Sequence, residues 1–251
     1  MRLRGVVVAG LLPVLMVGLV TAPAAGADAP PYGAIGDLKL AKAEDKVDMP
    51  LVAPPSGATV LFDGKSLDEW VSVDGKSPAP WKFVDGSAVE VQKGGIMSRQ
   101  KFDGHFLLHV EFRVPYMPKA TGQGRGNSGV YLQGRYEVQV LDSYGLQSQD
   151  NDCGGIYKVA APLVNACKAP TVWQSYDIDF RSPVFEEGRK VKPARISVLQ
   201  NGVAIHKDVE IPLDNTVAGL GGDPSKPGPI MLQDHGNPVQ YRNIWLVPLK
   251  D

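Results

Sequence analysis

The sequence predicts an all-β protein built as an antiparallel sandwich or barrel. Three observations predict it. Apolar and polar residues alternate with period two in several separate stretches. Glycine and proline, 28 and 21 of the 251 residues, punctuate those stretches. No long amphipathic helical pattern occurs. Alternation gives a strand one face for the core and one for water or ligand. Many short strands between turn signals favour a sandwich or barrel over helix-covered sheets.

The first element precedes that domain. Met1–Arg4 is basic, Gly5–Val20 is apolar, and Ala22–Ala27 is a run of small residues with an A-x-A exit. This order predicts a secretory signal peptide over residues 1–27, cut after Ala27, with Ala24 the second choice. The protein is therefore expected to be exported, to the periplasm or beyond. An uncleaved anchor is the alternative, but the run is short against the roughly 20 apolar residues of a full span. No cysteine follows it, so a lipid anchor is not expected, nor any membrane association after cleavage. Without Arg2 and Arg4, 24 basic residues face 27 acidic ones, a net charge of -3. No basic block remains, which argues against nucleic acid as a partner. Residues 28–58, rich in Ala, Pro, Gly and Lys, read as a linker or loosely packed arm with a helical turn or two near Asp37–Asp48. The ordered domain is expected over residues 59–251.

Within it, His105–Val114 alternates apolar Phe106, Leu108, Val110, Phe112 and Val114 with Leu107, His109, Glu111 and Arg113. Val130–Gln133 and Tyr136–Val140 repeat the pattern. Ala194–Leu199 turns at Asn201-Gly202 into Val203–His206. Asn-Gly suits the positive φ that a two-residue hairpin turn requires. Pro229–Gln233 and Val239–Val247 are two further expected strands.

Four constellations on these elements could carry chemistry. Arg125, Asn127 and Tyr131 sit in a glycine-flanked loop feeding a strand. Glu137 and Gln139 share a strand face, and a one-residue bulge would bring Asp142 to it. Carboxylates and amides along one strand suit a polyhydroxylated ligand. Tyr157 follows Cys153, which is expected to pair with Cys167 in an oxidising compartment and close a loop of about 15 residues. Gln233 and His235 share a face, and Arg242 is expected on the neighbouring strand. His235 is attractive because its free pKa lies near working pH. Each has a plainer reading as turn, solvated face or core residue. There is no G-x-S-x-G elbow, H-E-x-x-H helix, P-loop or nicotinamide fingerprint.

Leu61-Phe62-Asp63-Gly64-Lys65-Ser66-Leu67-Asp68-Glu69-Trp70 resembles the opening signature of the 3-keto-disaccharide hydrolase domain family, long known as a domain of unknown function. Asn127–Tyr131 with Tyr136–Asp142 resembles its middle motif. Leu232–Gly236 with Tyr241–Trp245 resembles its end. The resemblance runs from about Thr59 to Leu249. Many members carry Trp-Asn where this chain has Trp173-Gln174. The resemblance implies a concanavalin-A-like jelly roll of two antiparallel sheets, related to laminarinase-like glucanases that carry E-x-D-x-(x)-E on one strand. Glu137-x-Gln139-x-x-Asp142 has that layout with an amide in the middle.

The function this implies is hydrolysis of 3-keto-glycosides by elimination and hydration, with a carbohydrate substrate. That chemistry needs a base, a donor for the enolate oxygen and an acid for the leaving group. Glu137 or His235 is expected as the base, and Asp142 as a further catalytic carboxylate. Arg125, Arg135 and Arg242 are the candidates to meet the enolate. The residues single out no cofactor, and a divalent metal held by Glu137 or Asp142 would fit the residue types. The alternatives are a retaining glycosidase, which needs two carboxyl groups about 5 Å apart, and a sugar-binding module without catalysis.

Overall fold

The computed structural model describes residues 31–36 and 38–250. The expected signal peptide lies outside them. Fifteen strands follow one another: β1 Thr59–Phe62, β2 Trp70–Ser72, β3 Lys82–Val84, β4 Ala88–Glu90, β5 Ile96–Phe102, β6 His105–Arg113, β7 Ser128–Leu132, β8 Tyr136–Val140, β9 Gln174–Arg181, β10 Val184–Glu186, β11 Arg189–Lys192, β12 Ala194–Gln200, β13 Val203–Ile211, β14 Gly228–Leu232 and β15 Gln240–Pro248. Among the described residues only two 3-10 turns, Ala43–Lys46 and Gly122–Gly124, are helical.

The strands form an antiparallel jelly-roll sandwich. The larger sheet runs β13-β12-β9-β6-β15-β4-β3, with β1 also paired to β15. The smaller runs β2-β5-β14-β7-β8, and β10-β11 is a separate hairpin. The alternating apolar residues of both sheets meet in one core. Phe106, Leu108, Val110 and Phe112 of β6 face Val130 and Leu132 of β7 and Tyr136, Val138 and Val140 of β8, all buried. Each such side chain contributes about 1.5–3 kcal/mol by leaving water. Tyr241 of β15 ties the sheets together, its hydroxyl 2.7 Å from Ser128 Oγ. The β12–β13 turn falls at Asn201-Gly202, with φ of 54° and 78°, as that dipeptide allows.

Two departures from simple alternation matter. On β6 the second face is buried as well: His109 and Glu111 are fully enclosed. The segment before β1 lies over them. Val52 N donates to Glu111 Oε1 at 3.1 Å, Met49 N donates to the Trp173 carbonyl at 3.0 Å, and Tyr32 Oη donates to the Pro238 carbonyl at 2.7 Å. On β8, the last strand of the smaller sheet, the free edge is covered by loops. Gln139 exchanges backbone hydrogen bonds with Gly154 and Gly155, and Glu137 N donates to Thr216 Oγ1. Covering an edge removes a template for unwanted pairing. Here it also builds walls around the outward face of β8.

Candidate active site

The outward face of the smaller sheet carries the site. Strands β14, β7 and β8 lie side by side. In one row across them stand Gln233, Gly129 and Gln139: Gln233 N donates to the Gly129 carbonyl at 3.0 Å, and Gly129 pairs with Gln139. In the next row Tyr131 pairs with Glu137. Period two puts all of these on the face opposite Val130, Leu132 and Val138. Above them opens a cavity of about 220 Å³. That is smaller than the roughly 300–1,000 Å³ of sites for drug-sized ligands, and suits one sugar ring. Its floor is Asn127, Glu137, Gln139 and Gln233. Its walls are Gln123, Asn151, Tyr157 and His235 on one set of loops, and Val217 and Ala218 on the β13–β14 connection.

The amides are oriented by their own network. Gln123 Oε1 accepts from Asn127 Nδ2 at 3.0 Å and from Gln139 Nε2 at 3.2 Å. Gln123 Nε2 in turn donates to the Asn151 carbonyl at 2.8 Å. Both amide nitrogens are thereby spent. Asn127 Oδ1 and Gln139 Oε1 are left buried with no protein donor. Buried acceptors of this kind are uncommon, and a ligand with hydroxyl protons answers them.

Glu137 is the titratable centre. It is 5% exposed, and among the described residues no cation is placed against it. Burial pushes its carboxyl up to about 7, opposed by a hydrogen bond from the Tyr131 hydroxyl. Burial and the Glu137 charge push the Tyr131 phenol far up in turn, so Tyr131 stays protonated and donates. Gln233 Nε2 donates to Tyr131 Oη at 2.9 Å. His235 is exposed at the rim.

Of the expected site residues, Asn127, Glu137, Gln139, Tyr157, Gln233 and His235 line the cavity. Tyr131 stands beneath Glu137, fully buried, where a substrate contact was expected. Four others lie elsewhere. No bulge interrupts β7–β8 pairing, so Asp142, beyond the end of β8, keeps the opposite parity. It is buried against Arg125, whose Nη2 donates to Oδ2 at 2.6 Å. Arg135 holds the 223–226 loop through the Asp223 and Lys226 carbonyls at 3.2 and 2.6 Å. β15 lies in the larger sheet, not beside β14. Arg242 therefore emerges on the other side of the sandwich, with Nε 2.6 Å from Glu111 Oε2 and its guanidinium 4.2 Å over Trp173. The metal pair Glu137 and Asp142 is not assembled, since Asp142 is turned to Arg125. Among the described residues no group of three or more His, Cys, Asp or Glu is placed to hold a metal ion. Cys153 and Cys167, expected to be joined, are both thiols. Gln200 Nε2 is 3.5 Å from each sulfur.

The sequence reading missed Gln123, Asn151, Val217 and Ala218. Gln123 stands in the same glycine-rich run as Arg125 and Asn127, which is signal enough in retrospect. Val217 and Ala218 carry no polar signature.

The sandwich and its amide-lined cavity define a carbohydrate-active jelly roll. Residues 57–247 match the 3-keto-alpha-glucoside-1,2-lyase-like domain, and the chain belongs to that family. A solved protein from Parabacteroides distasonis, provisionally assigned as a glycosyl hydrolase, shares 41% identity, with 78% of this chain and 85% of that one covered at a TM-score of 0.69. Two further structures from that organism, with the same provisional assignment, share the fold. Their identities are 18% and 20%, their TM-scores 0.54 and 0.52. They cover 77% and 76% of this chain, and 94% and 99% of their own chains. No curated protein matches the chain.

Proposed function

We propose that the protein cleaves 3-keto-glycosides by elimination followed by hydration, with Glu137 as the base. The observation that carries this reading is a single carboxylate, desolvated to a pKa near neutrality, in a cavity otherwise lined by amides, a phenol, an imidazole and two small apolar residues. A retaining glycosidase needs a second carboxyl group about 5 Å away, and Asp142 is engaged with Arg125 instead. Elimination needs only one base. A ketone at C3 acidifies the C2 hydrogen. Ionised Glu137 takes that proton, the electron pair forms the C1–C2 double bond by way of the enolate, and the C1–O bond breaks. The leaving oxygen needs a proton and the enolate oxygen a donor, and His235 and Tyr157 are the cavity groups able to give them. Once the aglycone leaves, water enters and exchanges with the proton on Glu137. A water then adds at C1, its second proton restoring the group that protonated the leaving oxygen, and C2 takes its proton from Glu137. The sum is hydrolysis, and Glu137 ends ionised.

Export to an oxidising compartment belongs to this proposal, supported by the Met1–Ala27 pattern. There Cys153 and Cys167 would join, and thiol counting on the mature protein should find none free. The functional test is incubation with a 3-keto-disaccharide, its unoxidised parent and buffer alone. Release of 3-keto-glucose from the oxidised substrate only is expected. Cleavage of the parent, or of neither, would overturn the proposal.

A further inference from the structure

The Glu137 carboxylate lies across a gap in β7. A Cβ built on Gly129 would stand 2.4 Å from Glu137 Oε1 and 2.8 Å from Tyr131 Cε2, closer than real carbon atoms approach. The carboxylate and the Tyr131 ring therefore meet above residue 129 because that residue has no side chain. Tyr131, paired across the strands with Glu137, has a fully buried ring; its phenol accepts from Gln233 Nε2 at 2.9 Å, and its place beside the Glu137 carboxylate works to lower that group's pKa. Gln233 is fixed by its own backbone, with N donating to the Gly129 carbonyl at 3.0 Å and its carbonyl accepting from Ser128 Oγ at 2.6 Å. Its side chain lines the cavity, so Gln233 and Tyr131 connect the ligand space to the region beside the carboxylate.

We propose that Gly129, Tyr131 and Gln233 are the positioning set for the base. Gly129 gives the carboxylate its place, Tyr131 holds it ionised, and Gln233 couples it to whatever fills the cavity. This rests on the reading of Glu137 as the base. Hydrogen bonds add up along a chain in a low-dielectric site. Donation from Gln233 sharpens the Tyr131 O–H as a donor, and that donor favours the charged form of Glu137. A ligand that draws Gln233 away weakens the bond and makes Glu137 more basic once substrate is in place.

Tyr131→Phe keeps the ring and removes only the hydroxyl. The acid limb of its pH profile for kcat/KM should move to higher pH. Activity should fall about tenfold near pH 6, the effect of one pKa unit, and approach that of wild type near pH 9. Gln233→Met should shift the limb the same way by less. Gly129→Ala should lower kcat with little change in KM. Glu137→Asp, whose shorter carboxylate clears the added methyl, should then cost less in the Gly129→Ala background than in wild type. A second readout needs no turnover: the Glu137 carboxyl ¹³C resonance, assigned by its loss in Glu137→Gln, should titrate at higher pH in Tyr131→Phe than in wild type. An unmoved titration in a folded Tyr131→Phe, or additive costs of Gly129→Ala and Glu137→Asp, overturns the positioning set even if 3-keto-glycosides are cleaved. A shifted titration in a protein that cleaves nothing supports the set and refutes only the proposed function.

Discussion

Among the buried glutamates of the described residues, Glu111 on the larger sheet and Glu137 on the smaller have opposite fates. Glu111 of β6 is fully enclosed. Burial raises its pKa, but hydrogen bonds from His109, Asn243, Arg242 and the Val52 backbone more than offset this and bring it below the usual value. Glu137 of β8 is nearly as buried, yet burial and one phenolic hydrogen bond are what act on it, and it rises to about 7. Burial alone does not make a base. What separates the two is the set of donors, from His109 and Asn243 to Arg242 and the Val52 backbone, that Glu111 has and Glu137 lacks. Glu111 is a fastener for the segment over β6, while Glu137 is held at the floor of a cavity in a state that protonates near working pH.

The widest gap should appear in activity. Glu137→Gln is expected to lower 3-keto-glycoside cleavage by about 10²–10⁴-fold, the usual share of a general base. Glu111→Gln should leave the rate of the folded protein unchanged. Comparable losses in both would erase the distinction.

Stability should separate them in the other direction. Removing one partner of a buried ion pair costs about 3–5 kcal/mol, so Glu111→Gln should be the destabilised variant at neutral pH in urea titration. Arg242 is partly exposed, which places the value at the low end. Glu137→Gln should be more stable than wild type there.

The pH dependence sharpens this further. Glu137 binds its proton more tightly folded than unfolded, so wild type loses stability as pH rises from about 4.5 to about 7 and does not regain it above. Glu137→Gln should remove that loss, a gain of at most about 3 kcal/mol at pH 8 that vanishes near pH 4. Glu111 has the opposite sign. Its contribution is present above its unfolded pKa and is lost as pH falls through the folded one, so the cost of Glu111→Gln should shrink in acid. Parallel pH curves for the two variants would contradict the contrast.

The smallest effect is expected at the rim. His235 is solvent-exposed, and His235→Asn should reduce activity far less than Glu137→Gln, with no measurable change in stability.

Much of this was legible in the sequence. Period two on Tyr136–Val140 placed Glu137 and Gln139 on one face, and Gln233 with His235 joined them because β14 and β8 flank β7. The Asn201-Gly202 turn fixed its hairpin locally. What failed was long-range. No local pattern says which sheet a strand joins, so Arg242 was expected beside Gln233 and belongs with Glu111. Parity argued against Asp142, and the bulge needed to rescue it does not exist. Tyr131 shares the polar face, but its depth depends on what covers it. Val217 and Ala218 reach the cavity from a connection with no chemistry of its own. The covering of β6 by residues 49–52 made a solvated face into a second buried polar network, which alternation alone cannot foresee.

In the proposed mechanism Glu137 takes a proton from carbon. Cleavage of a 3-keto-disaccharide in D₂O tests it most directly, with the released 3-keto-glucose sampled at early turnover against an enzyme-free control. Elimination and hydration through Glu137 predict deuterium at C2 of the product, and neither release nor enzyme-dependent exchange with Glu137→Gln. Product released by the wild-type protein with only protium at C2 would contradict it.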